Sequence, residues 1–358
     1  MKINKAVVLL TALAPAIASA LTPGETRREI ALELAGKSEV LAYSLADNNY
    51  KLDLAAIAKA VPNNKKLNKL SHQANKSTIS KYGVQGYAKS VMQVRLVTPK
   101  MTDMDADNEV LISYVPDGDE SEWSAIEAFD QQGNTVYLDV YNQPSQPVVV
   151  IGTDDKKIQK AGIRLLNDRL SGASPKGMQR SRKSDNTETL NTSILKKINL
   201  TSDQEPWILG KAEIYAIVTG VSAERDKPQI DIVDMPYLDE DGKDYHPNQV
   251  LVYWERYRWG VADILFFEQD SDYNYKELAK LLLEIVGKGL ELGGIPEAKP
   301  FIGIGQRVLS AMKDSWFQND DDYVDSFYVL ENSRTYNSYV GANSNATISL
   351  QPRQFTAF

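Results

Sequence analysis

Cysteine is absent from the 358 residues, and histidine nearly so, with only His72 and His246 present. The first absence excludes disulfides, thiolate metal sites and cysteine nucleophiles. The second leaves no room for a histidine-rich zinc centre, and a serine–histidine triad would have to use one of two residues. The local signatures of common enzymes are missing as well. The chain holds no Gly-x-Ser-x-Gly elbow, P-loop, His-Glu-x-x-His or Gly-x-Gly-x-x-Gly. Hydrolases built on carboxylates leave little local trace, so an enzyme is not excluded. Long apolar runs are scarce too. The one at residues 6–18 is shorter than the roughly 20 residues a membrane span needs. It follows Lys2 and Lys5 and ends in Ala18-Ser19-Ala20, the order of a secretory signal peptide. Residues 1–20 are therefore expected to be removed, leaving a periplasmic or secreted protein without a transmembrane segment.

What is present is acid, unevenly placed. Residues 21–200 carry 24 Lys and Arg against 22 Asp and Glu, whereas residues 201–358 carry 14 against 26. A polyanion such as nucleic acid is a poor partner for the second surface. A divalent cation or a cationic ligand suits it better, and a protein, peptide or glycan is the expected kind of partner.

The pattern along the chain predicts an α+β, mostly β protein in two parts. Thr22-Pro23-Gly24-Glu25 is a capping box with proline at the first helical position. Ile30, Leu34, Leu41 and Leu45 continue on one helical face. A short helix is expected over 52–60, then a basic loop or frayed helix over 64–81. Strands are expected over 91–97, 109–115, 125–129, 135–141 and 147–152, with a hairpin at Gln131-Gln132-Gly133-Asn134. These give an N-terminal α+β domain, 21–170, with a small antiparallel sheet. A polar linker is read over 171–192. Residues 193–358 then read as a β-sandwich with strands at 212–221, 229–233, 249–254, 262–267, 327–331 and 346–350. A helical insertion at about 275–314 interrupts it, marked by Leu278, Leu281, Leu282, Ile285 and Val286 on one face.

Aspartates cluster where two of these strands end and begin. Asp270, Asp272 and Asn274 follow the strand over 262–267, and Asp320, Asp321, Asp322 and Asp325 precede that over 327–331. Calcium takes six to eight oxygen ligands, and two such loops at one end of a sandwich would supply them. All seven residues are expected to share one calcium ion. The first loop starts like an EF-hand, but Tyr275 stands where glycine is needed and Leu281 where the closing glutamate belongs, so that motif is rejected.

Three stretches carry a resemblance. Residues 205–215 (Glu-Pro-Trp-Ile-Leu-Gly-Lys-Ala-Glu-Ile-Tyr), 266–278 and 319–328 resemble the domain-of-unknown-function 3103 family of exported proteobacterial proteins. The resemblance implies export and no established activity. The order Asp270, Asp272, then Asp321-Asp322-Tyr323-Val324 is also similar to C2-type sandwiches, although some forty residues with a helix separate the two loops here. Two function classes follow. One is a calcium-binding, partner- or surface-binding β protein. The other is a carboxylate- or metal-dependent hydrolase acting on peptide or glycan.

Overall fold

The computed structural model describes residues 21–97, 109–173, 189–201, 206–211, 213–223, 227–269, 274–288, 303–315 and 323–356. Thr22 starts helix α1 (Pro23–Ala35). Its hydroxyl accepts the Glu25 amide at 3.1 Å and the Glu25 carboxylate accepts the Thr22 amide at 2.7 Å, completing the capping box. The apolar stripe runs on past Gly36, but the helix does not. A turn there begins α2 (Ser38–Ala46), which carries Leu41 and Leu45. A short strand, β1 (Lys51–Asp53), leads into α3 (Leu54–Ala60), capped by the Asp53 carboxylate. The basic stretch after Asn64 is a full helix, α4 (Lys65–Lys81), because Leu67, Leu70 and Ala74 give it one buried side among its lysines.

Strands β2 (Met92–Val97), β3 (Leu111–Tyr114), β4 (Ile126–Phe129), β5 (Thr135–Leu138) and β6 (Val148–Thr153) join β1 in one sheet of order β1-β2-β6-β3-β4-β5. Every pairing is antiparallel except β3 with β6, which run parallel. One face of this sheet packs under α1–α4 through Met92, Val94, Ile112, Val149 and Ile151. On the other face Leu111, Val148 and Val150 meet Trp207 and Ile208 from the second half of the chain.

Helix α5 (Asp155–Ala173) leaves directly from β6 and takes in the first three residues of the stretch read as a linker. Strand β7 (Thr189–Leu200) takes up the last part of that stretch. The remaining elements are β8 (Ile214–Val221), β9 (Pro228–Asp234), β10 (Gln249–Tyr253), β11 (Val261–Glu268), α6 (Tyr275–Lys288), α7 (Gly303–Ser315), β12 (Tyr323–Glu331), β13 (Tyr336–Val340) and β14 (Ala346–Thr356). They build two antiparallel sheets, β10-β7-β14-β13 and β12-β11-β8-β9. Between the two lies one apolar core with Ile198, Val218, Ile264, Phe266, Phe327 and Ile348. A sandwich with a helical insertion is thus present as expected, with β7 and β13 added to the strands that the sequence pattern predicts.

The second of these sheets is covered again on its outer face. Tyr215, Ile217, Leu265 and Phe267 point away from the sandwich core and meet Ile158 of α5, Leu278 and Leu282 of α6 and Val308 of α7. Gly162 of α5 makes room for the Tyr275 ring, which any Cβ there would overlap. Tyr82, Val84 and Val91 of the first half belong to this same cluster. The Tyr82 carbonyl accepts the Tyr275 amide at 3.0 Å, so the two halves are joined here. Among the described residues no helix is long and apolar enough to cross a membrane.

Candidate binding cleft

Of the seven residues expected around calcium, Asp270, Asp272, Asp320, Asp321 and Asp322 lie outside the described residues, as do residues 1–20. The other two have different tasks. Asn274 caps α6. Its Oδ1 accepts the Lys276 and Glu277 amides at 3.1 and 3.2 Å, and its Nδ2 donates to the Lys81 carbonyl at 2.8 Å. Asp325 has no exposed surface. Its Oδ1 accepts the Ser326 and Asn343 amides, each at 2.7 Å, and its Oδ2 accepts those of Asn345 and Ala346 at 2.9 and 2.7 Å. A carboxylate offers about four acceptor positions, so Asp325 is filled by backbone and has none left for a metal. It pins the β13–β14 turn to β12, closing on Gly341, where a Cβ would overlap its carboxylate. In the structure both side chains are thus engaged by the protein's own groups. Among the described residues no three acidic or histidine side chains are grouped to hold a metal.

A different cluster forms where the first sheet meets the second half. Across β1 and β2, Lys51 lies opposite Arg95 and Asp53 opposite Gln93. Side chains alternate along a strand, so these four share the face turned away from α1–α4. Toward the middle of the sheet that face is apolar and roofed by Trp207 and Ile208. Toward β1 it is polar and open. Arg95 holds the roof down, because its guanidinium donates to the carbonyls of Trp207, at 3.3 Å, and Ile208. Gly210 turns the chain back beside that guanidinium with φ of 125°, a value that side chains disfavour.

The start of α5 forms the next wall. Asp154 caps the helix, accepting the Lys157 amide at 3.3 Å while its carbonyl accepts that of Ile158 at 3.0 Å. The Lys157 ammonium lies 2.9 Å from Asp154 and 3.7 Å from Asp53. Asp155 accepts the Thr153 hydroxyl at 2.6 Å. Burial raises the Asp155 pKa and neighbouring Asp154 adds to this, while Thr153 and Arg95 pull against it. From the other half, Asp239 ties the walls together. It takes Lys156 of α5 at 3.1 Å, the Tyr245 hydroxyl at 3.0 Å, and Lys211 at 3.5 Å. Burial alone would raise the Asp239 pKa, but these partners outweigh it and hold the carboxyl below its usual range.

Two cavities, of about 260 and 320 Å³, open along these walls, and Lys51, Gln93, Asp154 and Lys156 line both. The first reaches Arg95, Asp155, Lys211 and Glu213, and the second reaches Asp53, Lys157 and Lys160. A third, of about 60 Å³, continues past Asp155 and Glu213 to Arg27 and Gln269. It lies beyond the carboxyl ends of the parallel strands β3 and β6, the end of a parallel pair at which α/β sheets hold ligands.

Lys211, Glu213 and Gln269 fall in the stretches that carry the family resemblance, but no lining residue reads from the sequence as a binding group. The available signal was Gln93 and Arg95 alternating with Met92, Val94 and Leu96, two polar groups on one face of an apolar strand. Their partners Lys51 and Asp53 were hidden, because residues 52–60 read as one helix.

Searches of curated proteins and of solved structures each returned no match. The family model described as Protein of unknown function (DUF3103) matches residues 27–357, nearly the whole chain, from within α1 to the end of β14. The chain therefore belongs to the DUF3103 family.

Proposed function

We propose that this protein is an exported binding protein whose cleft between the two halves takes a small ligand bearing charges of both signs, such as a peptide end. The observation that carries the proposal is the lining of the two larger cavities. Lys51, Asp53 and Arg95 of the sheet face meet Asp154, Asp155, Lys156, Lys157 and Lys160 at the start of α5 and Lys211 and Glu213 of the segment before β8. Such volumes suit small ligands, and convergent polar groups within an otherwise packed seam are how such ligands are oriented. Export rests on the basic, apolar and small-residue order of residues 1–20. Calcium enters the proposal only through the aspartates at 270, 272 and 320–322, on their spacing alone. Elemental analysis and melting with EDTA against added calcium test it, and an unchanged midpoint with no bound metal removes it.

Thermal shift of the mature chain against a panel of short peptides, amino acids and charged sugars tests the cleft. A ligand at a hundred times its Kd adds about 2.7 kcal/mol of stability, a shift easily seen in a melt. A flat panel at millimolar concentration ends the proposal. The hydrolase reading keeps one observation of its own. Asp155, whose carboxyl holds its proton more tightly than usual, and Glu213 both line the smallest cavity and its neighbour. It requires turnover of a peptide or glycan that Asp155→Asn abolishes in a folded variant.

A further inference from the structure

Two donors at the smallest cavity lack acceptors, and both belong to side chains that are more than nine-tenths buried. Arg27 of α1 is 8% exposed, and Gln269, just past β11, is 4% exposed. The Arg27 Nε donates to the Val115 carbonyl at 2.7 Å, and its Nη2 donates to the Pro116 carbonyl at 3.0 Å and to Asp117 at 2.8 Å. The protons on Nη1 have no partner among the described residues. The Tyr275 hydroxyl lies 2.5 Å from the Gln269 Oε1. That separation suits O–H···O and is too short for N–H···O, so the amide oxygen faces the phenol. The Gln269 Nε2 then has no partner among the described residues either. Neither nitrogen is sealed from solvent, and both residues line the cavity of about 60 Å³. Donors held in so enclosed a place call for an acceptor.

Size and charge say which acceptor. The cavity has room for no more than a few waters, so only a small end group enters it. Its acids are mostly occupied. The Asp117 Oδ1 takes Arg27 and its Oδ2 takes the Gly24 amide at 2.6 Å. Asp155 takes the Thr153 hydroxyl, and burial favours its protonated form. Glu213 and Lys81 line the cavity too, with opposite charges. The neighbouring cavity, which shares Asp155, Leu209 and Glu213 with it, brings Lys51, Arg95, Lys156 and Lys211 to the approach. The one further acid there, Asp154, is paired with Lys157. We infer that the smallest cavity seats the carboxylate end of the ligand, with Arg27 Nη1 and Gln269 Nε2 as its donors, while the rest of the ligand lies in the neighbouring cavity. A carboxylate has two oxygens to offer two donors, and a guanidinium makes its stronger hydrogen bonds to a charged acceptor. Arg27 comes from the first half of the chain and Gln269 from the second, so the carboxylate bridges them. The inference rests on the cleft being the ligand site.

Calorimetric titration of the mature full chain with triglycine, N-acetyl-triglycine and triglycine amide tests it. Triglycine is expected to bind, and amidation, which removes the carboxylate, to weaken binding by about ten-fold or more, equivalent to about 1.4 kcal/mol. Acetylation, which leaves the carboxylate in place, should weaken it less than amidation does. Gln269→Glu keeps an oxygen for Tyr275 and puts a second one where Nε2 stood. It should weaken triglycine by about ten-fold or more and triglycine amide by less. An amide that binds as tightly as triglycine, or a folded Gln269→Glu chain that binds triglycine as the parent does, overturns the inference and leaves the cleft reading standing. Failure of all three peptides to bind overturns both. The comparison of peptides on the unmutated chain needs no variant, so a Gln269→Glu chain that fails to fold does not blunt it.

Discussion

Two sheets of this molecule differ in how they treat their second face. The β12-β11-β8-β9 sheet is dry on both sides, with the sandwich core on one and α5–α7 on the other. All eight residues of β8 are buried, and its sequence Ile-Tyr-Ala-Ile-Val-Thr-Gly-Val is nearly unbroken apolar. The first sheet is dry under α1–α4, but on its other side only the middle is roofed. There β2 alternates, placing Gln93 and Arg95 on the side that opens toward the cavities. A sheet covered twice spends its side chains on packing. One covered one and a half times leaves a row of polar groups held in register by the strands, and such a row can recognise something.

The largest expected effect comes from breaking the doubly covered sheet. Phe266 is fully buried, and its ring centroid lies 5.6 Å from that of Phe327 in an edge-on arrangement. Phe266→Ala removes that ring and leaves a cavity, and should cost about 3–5 kcal/mol in urea denaturation. A loss below about 1 kcal/mol would mean that the sandwich core is not closed as described.

A second, slightly smaller effect belongs to the one carboxylate on the outer face of β11. Asp263 is 1% exposed and accepts the Val329 amide at 2.8 Å and the Gly305 amide at 3.2 Å. Burial pushes its pKa up to about 6, although both amides pull it down. A group that binds its proton more tightly when folded favours folding below its unfolded pKa. That contribution is lost as pH rises through the folded value. The stability of the parent minus that of Asp263→Asn should therefore fall by about 2 kcal/mol between about pH 4 and pH 7. A difference that stays level, or rises with pH, would show that the group is not held in a dry site.

The smallest effect on stability sharpens the comparison from the other side. Lys51 is exposed at the cleft rim. Lys51→Ala should change stability by less than about 0.5 kcal/mol, while weakening a ligand that carries a carboxylate. A ligand without that charge should bind parent and variant alike. A destabilisation near that of Phe266→Ala would make the polar row structural.

The legibility of these features in the sequence follows how local their causes are. The Thr22–Glu25 capping box, the β4–β5 hairpin and the apolar face of α6 are each written within a few residues, and each reads correctly. Helix α4 was obscured because its buried side is thin, with Ser71 and Thr78 completing it among lysines and asparagines. The start of β7 reads as linker because Thr189, Asn191, Thr192 and Ser193 are polar. Thr192 and Ser193 are nevertheless buried, bonded to the Arg353 carbonyl and the Trp254 indole. The candidate cleft is the least legible part. Its residues come from β1, β2, α5 and the 207–213 connection, and what brings them together is cross-strand register and one arginine reaching over to two carbonyls. The aspartate clusters drew the eye because charge is conspicuous, yet Asp325 shows that a conspicuous acid can be consumed entirely by amides.

The seam at the end of α4 sets an order of events on the chain. Lys81 and Tyr82 give their carbonyls to Asn274 and Tyr275, the first of these pairs 193 residues apart. During synthesis, Tyr82, Val84 and Val91 emerge long before α6 exists to cover them. The early part of the polypeptide must wait with greasy surface in the open until three-quarters of the message has been read, an interval in which it is vulnerable to sticking to the wrong neighbour.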